Sequence, residues 1–221
     1  KEIIIFSFHL LISSSFLFLL TVAGRILAKY FFDYKTTGIY GFYFRLAAVV
    51  VLIYQVVSIR FFKDLYITNP KKLDKYFALF YVFTFSLSII IYFISPLIIP
   101  YFSDYYSETY LENKILFFVL FCQMTMWIAT ALNSSIVDRE GLAKINNLYF
   151  LGLFIISIIT FYFLKEGLVL ITLAFVLYTI FFFANLTQFL ALKTKKIIFK
   201  KSFFVLTMIY TISCIIFFII F

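Results

Sequence analysis

Residues 76–103, YFALFYVFTFSLSIIIYFISPLIIPYFS, contain no charged side chain. At a helical rise of about 1.5 Å per residue, roughly 20 mostly apolar residues cross the hydrocarbon core of a bilayer. This run is therefore long enough to span one, with Pro96 and Pro100 expected to kink or end the helix. Six more runs of the same character flank it, at about 3–24, 36–59, 115–137, 145–164, 167–192 and 202–221. The second is interrupted only by Arg45. The pattern predicts an all-α polytopic membrane bundle of seven spans.

Composition excludes the alternatives. The 221 residues are 65% hydrophobic, 24% aromatic and 13% charged, against about 45–50% apolar and about 25% charged in an ordinary soluble domain. A water-soluble globule so composed would expose continuous apolar patches and aggregate. Cys122 and Cys214 both lie in apolar runs, so neither reads as a disulfide or a metal ligand. Phe (34 residues) and Tyr (17 residues) are so abundant that a single aromatic side chain carries little information.

A net charge of +9 would suggest nucleic acid in a soluble chain, but basic residues between spans are what orient a membrane protein. Arg60, Lys63, Lys71, Lys72 and Lys75 fall in one link. Arg139 and Lys144 fall two links later, and Lys193, Lys195, Lys196, Lys200 and Lys201 two links after that, in the 193–201 loop. The alternate links hold only Lys35, Lys114 and Lys165, with Asp104, Glu108 and Glu112 in the middle one. This bias places the N-terminus and the basic links in the cytoplasm, and no link is long enough for a folded domain. The opening at Lys1 rather than Met, and a first apolar run too long for a signal peptide, suggest a piece of a longer protein.

Cations inside spans need a reason, because each costs about 2.5–3.5 kcal/mol at mid-bilayer on insertion scales. Arg25 and Lys29, spaced i, i+4, share a face of the first helix near its outer end. Arg45 lies about six residues, or roughly 9 Å, into the second helix from the same side. Either these side chains snorkel to lipid phosphates, or they form a cationic patch in an aqueous cavity suited to a phosphate or pyrophosphate. His9, in the cytoplasmic half of the first span, is a candidate proton carrier or a side chain hydrogen-bonded to a neighbouring helix. Gln123, Thr130, Asn133, Ser134, Asn185 and Gln188 are expected to bond between helices.

No Asp or Glu falls within these spans, whereas proton- or sodium-driven exporters usually place a carboxylate there. No metal-ligand spacing, nucleotide loop or Gly-x-Ser-x-Gly is present, so catalysis has nothing to stand on and no cofactor is implied.

The stretch Ala23-Gly24-Arg25-Ile26-Leu27, followed by Thr37-Gly38-Ile39-Tyr40-Gly41-Phe42-Tyr43-Phe44-Arg45-Leu46, resembles the junction of the seventh and eighth helices in Wzx-type polysaccharide flippases. These share a superfamily with multidrug extruders of the MATE type and the lipid II flippases. The similarity continues in spacing through the basic link ending near Lys75, the outer segment 102–106, the inner turn Glu140-Gly141 and the outer turn Lys165-Glu166-Gly167. Gly24 departs from the pattern by standing where the family commonly has Asp, and Leu168 and Val169 replace small residues.

The resemblance implies that residues 1–192 are the C-terminal six-helix lobe of a two-lobed flippase, with 202–221 an additional helix and an N-terminal lobe as partner. It implies transport of an undecaprenyl-pyrophosphate-linked oligosaccharide across the bacterial inner membrane for O-antigen, capsule or a similar surface glycan. A multidrug exporter and a membrane polymerase or glycosyltransferase of the same pathway are the competing classes.

Overall fold

The computed structural model describes residues 2–102 and 104–220. They form α1 (Glu2–Phe31), α2 (Tyr34–Ala47), α3 (Val49–Ile67), α4 (Pro70–Ile98), the short α5 (Asp104–Glu108), α6 (Tyr110–Arg139), α7 (Ala143–Leu164), α8 (Leu170–Thr194) and α9 (Lys200–Ile220). Single 3₁₀ turns at Ile99–Tyr101 and Lys165–Gly167 follow α4 and α7, and no strand occurs among the described residues. Six helices are long and apolar enough to cross a membrane, and α2 with α3 makes a seventh if counted as one span. The chain is an all-α polytopic bundle.

Several helices run beyond the apolar runs that announced them, because their ends are capped by polar residues just outside. Asp33 caps α2 by accepting the Thr36 N–H at 2.8 Å, and Asn69 caps α4 by accepting the Lys71 N–H at 3.0 Å, with Pro70 at the first helical position. The Asp33 carboxyl is held below its ordinary range by hydrogen bonds from the Thr36 hydroxyl and backbone. Its contribution to the cap is therefore present at neutral pH and lost as pH falls through that lowered value. α1 continues past residue 24 to Phe31, which keeps Arg25 and Lys29 helical.

One expectation is corrected here. The span expected over 36–59 is two helices bent by 40° at Ala48. The break falls at the alanine pair Ala47-Ala48, where Ala48 N–H bonds Phe44 O and Val51 N–H bonds Ala48 O, both at 2.9 Å. There is no Pro or Gly to impose it. Helix α4 also starts early enough to include Asp74, and α6 runs far enough to include Asp138, both beyond the apolar runs 76–103 and 115–137. Pro96 is accommodated inside α4 near its end, and Pro100 sits in the 3₁₀ turn.

α6 is the axis of the bundle. Residues 116–126 are buried on every side, as expected of a helix hydrophobic all round, and α8, α4, α2, α3, α9 and α1 pack about it. α7 lies outside, against α1 and α8. Lipid is as apolar as the side chains it would replace, so helix association here rests on packing and interhelical hydrogen bonds.

The buried amides supply those bonds. Tyr81 Oη donates to Asn133 Oδ1 at 3.2 Å, and Asn133 Nδ2 donates to Asn185 Oδ1 at 2.9 Å. Asn185 Nδ2 then reaches Thr130 Oγ1, Met126 O and Phe181 O, while Gln188 Nε2 reaches Thr130 O and Ser134 Oγ. One polar chain thus ties α4, α6 and α8 at mid-bundle. Gln123 is buried beside it with its Oε1 unpartnered.

The three basic links gather at one end. Arg139 Nη1 donates to Leu65 O and Thr68 O at 2.8 and 3.0 Å, closing the C-terminus of α3, while its Nε and Nη2 hold Glu140. Lys195 donates to Glu140 O. α6 passes to α7 through a Schellman turn, in which Leu142 N–H bonds Val137 O and Gly141 N–H bonds Asp138 O; Gly141 has φ 68°, the left-handed region that favours glycine.

Asp74 completes this end. Its carboxylate accepts Lys201 N–H at 3.0 Å and Ser202 N–H at 2.8 Å, satisfying two otherwise unbonded donors in the first turn of α9. Ser202 Oγ bonds the same carboxylate and the Asp74 carbonyl. Asp74→Ala is expected to leave both donors unpaired, that of Ser202 buried, a loss of about 1–3 kcal/mol that loosens α9 from α4. The measurement is the thermal unfolding midpoint of the purified protein in detergent, and an unchanged midpoint would count against the cap.

Candidate functional site

The far end of α1 and the whole of α2 form the region singled out by its cations. Two contacts fix how these helices meet, and a third holds α1 to α6. Gly24 packs so closely on Tyr40 that a Cβ there would lie 1.9 Å from Tyr40 Oη and 2.8 Å from Cζ. Tyr40 is fully buried and stacks on Phe44 at 5.9 Å between centroids. Thr37 Oγ1 donates to Ala28 O at 3.2 Å, and Trp127 Nε1, donating to Thr21 Oγ1 at 2.7 Å, anchors α1 on α6.

This register sets the cations. The Arg25 guanidinium lies over the Phe44 ring, 5.7 Å from its centroid, and Phe44 directly precedes Arg45 in the chain. Arg25, Lys29 and Arg45 are all exposed. Among the described residues the one ion pair is Arg139 with Glu140, so none of the three has a carboxylate partner. No ion pair among the described residues compensates their positive charge.

Arg45 sits toward the C-terminal end of α2. Because Asp33 starts α2 at Tyr34, Arg45 falls in the last turn of α2, about 16 Å of helix from its first residue and three residues before the bend at Ala48. There it faces the carbonyl end of α2, where a cation is favoured. The three cations are absent from the linings of four pockets on the bundle.

His9 is not part of this cluster. It sits sixteen residues before Arg25 on α1, about 24 Å away along the helix. Its backbone carbonyl accepts Asn147 Nδ2 at 2.8 Å, while its ring Nδ1 is buried without a partner. The bond to a neighbouring helix exists, but the backbone makes it and not the imidazole.

No family model matches the chain, and neither a curated protein nor a solved structure does so.

Sequence reasoning missed Asp74, because its partners Lys201 and Ser202 are more than 120 residues away in the chain and its neighbours are all lysines or apolar. It missed the closure of α3 by Arg139 for the same reason. Gly24 was visible as a departure from a pattern, yet the contact that requires glycine there depends on α2 folding back against α1. Among the described residues no group of three His, Cys, Asp or Glu side chains is placed to hold a metal ion.

Proposed function

We propose that this chain is one lobe of a membrane transporter that moves an undecaprenyl-pyrophosphate-linked oligosaccharide across the bacterial inner membrane for surface polysaccharide synthesis. The observation that carries this reading is the exposed set Arg25, Lys29 and Arg45 on the packed helices α1 and α2, none of them ion-paired among the described residues. A pyrophosphate supplies the charge this face lacks, and arginine's planar fork suits its oxygens. The lipid tail would remain in hydrocarbon, and the second lobe would close the cavity across the cationic face. Asp74 does not favour a cation-driven exporter, since its carboxylate is occupied by the first turn of α9.

Deleting the gene in its host should abolish the surface glycan and leave lipid-linked oligosaccharide at the inner leaflet. Normal glycan with sensitivity to cationic dyes would instead select the exporter. The orientation is tested separately, with single cysteines at Thr68, Thr194 and Ser107 in a protein lacking Cys122 and Cys214. An impermeant maleimide applied to intact cells should label Ser107→Cys alone, and labelling at either of the other two would reverse the topology.

A further inference from the structure

α3 and α4, joined by Thr68 and Asn69, enclose a cleft of about 480 Å³ with Leu132 of α6 also in its lining. That size is within the range of ligand clefts. At the link end Arg139 holds Leu65 O and Thr68 O, and both of those residues line the cleft. The two ends differ in chemistry. Asp64, Thr68 and Lys72 lie near the link, whereas Val57, Phe77 and Phe80 lie away from it.

The change falls where the charges stop. Residues 60–75 hold seven charged side chains, while 46–59 and 76–103 hold none. Carrying charge into hydrocarbon is costly, so this border on both helices marks the edge of the apolar layer. The cleft crosses it, with a head-group end and a chain end.

Of the charged side chains in that stretch only two enter the lining, Asp64 of α3 and Lys72 of α4; Arg60, Lys63, Lys71 and Lys75 do not. Both are exposed, and neither is ion-paired with the other or with any described residue. One wall of the head-group end is therefore anionic and the other cationic. Asp64 opposes a head group that is only anionic, and Lys72 one that is only cationic. A head carrying both charges satisfies both walls. Its phosphate accepts from Lys72, in the first turn of α4 where the helix dipole adds positive potential. Its ammonium donates to Asp64, which a primary ammonium can do and a quaternary one, having no N–H, cannot.

We infer that the α3–α4 cleft is a site for a phospholipid whose head carries a phosphate and a primary ammonium, with an acyl chain against Val57, Phe77, Phe80 and Leu132. The site stands apart from the transport reading, since it uses none of Arg25, Lys29 and Arg45. A lipid held there ties α3 to α4 and stabilises the folded chain by mass action.

The test takes the full protein, stripped of lipid in detergent, and titrates it with phosphatidylethanolamine, phosphatidylcholine or phosphatidylglycerol bearing identical chains. Native mass spectrometry counts the bound lipid, and the thermal midpoint reports its stabilising effect. Phosphatidylethanolamine should bind several-fold more tightly than the other two and raise the midpoint most. Asp64→Asn should remove the preference over phosphatidylcholine, by weakening phosphatidylethanolamine alone. Lys72→Gln should weaken both of these lipids, and Lys71→Gln, outside the lining, neither. Because Asp64 and Lys72 are exposed and unpaired, these variants keep the fold. Equal binding of phosphatidylethanolamine and phosphatidylcholine by wild type, or a preference that survives Asp64→Asn, overturns the assignment. Tighter binding of phosphatidylglycerol overturns it as well, because the net positive charge of the link, and not the Asp64–Lys72 pair of walls, would then select the lipid.

Discussion

Arg45→Ala is expected to reduce surface glycan to about a tenth of wild type or less, with membrane insertion and protein abundance unchanged. A hydrogen bond to a charged group contributes about 1.5–3 kcal/mol, or roughly ten- to a hundredfold in an equilibrium constant. Arg45 is the cation chosen for this test, since it lies in the last turn of α2 beside the bend at Ala48 and has no ion-pair partner among the described residues. Arg45→Lys should restore part of the activity, because the charge returns without the planar fork. The opposite expectation follows if Arg45 only reaches out to lipid head groups. Removing a costly intramembrane charge would then be tolerated or would help insertion. The measurement is surface glycan in a complemented deletion strain, normalised to protein in the membrane. Wild-type export by Arg45→Ala, and by a variant with Arg25 and Lys29 neutralised as well, would remove the physical basis for an anionic substrate.

What the sequence reveals about this protein follows the range over which each effect acts. Span existence depends on local apolar content, and the run at 76–103 alone declares a membrane helix; α4 duly extends across most of it. The common face of Arg25 and Lys29 depends on a four-residue spacing and is equally legible. The gathering of the basic links at one end also follows from counting crossings, and Arg139 reaching Leu65 O and Thr68 O expresses it in atoms. The bend at Ala48 was hidden because neither proline nor glycine marks it. Asp74 was hidden because its effect lies at the start of a helix that begins 126 residues later, and a carboxylate among lysines reads locally as a solvated charge. Even the polar stripe of α6, foreseen as interhelical, did not by itself name Tyr81 as its partner on α4.

Gly24→Ala is expected to destabilise the protein and to disturb the cationic face together, because one contact serves both. The added Cβ would lie 1.9 Å from Tyr40 Oη, 2.8 Å from Cζ and 3.1 Å from Leu177 Cδ1. A hydroxyl at the end of a free side chain could swing aside at little cost. Tyr40 is not free, since it is fully buried and stacked on Phe44, so its ring moves only if α2 moves. Overpacking of this kind costs about 1–3 kcal/mol. A displaced Phe44 would also leave the Arg25 guanidinium without the ring it lies over and shift Arg45 beside it. Tyr40→Phe separates the causes. Tyr40 Oη is buried without a hydrogen-bond partner, so deleting it alone should be neutral or stabilising. Combined with Gly24→Ala it removes the 1.9 Å contact while leaving that with Cζ, and should recover part of both stability and export. The measurements are the thermal midpoint in detergent and surface glycan at matched abundance. Equal midpoints for wild type and Gly24→Ala would show that α1 and α2 do not meet through this glycine, and a double variant no better than Gly24→Ala would show that the hydroxyl is not what the new methyl strikes.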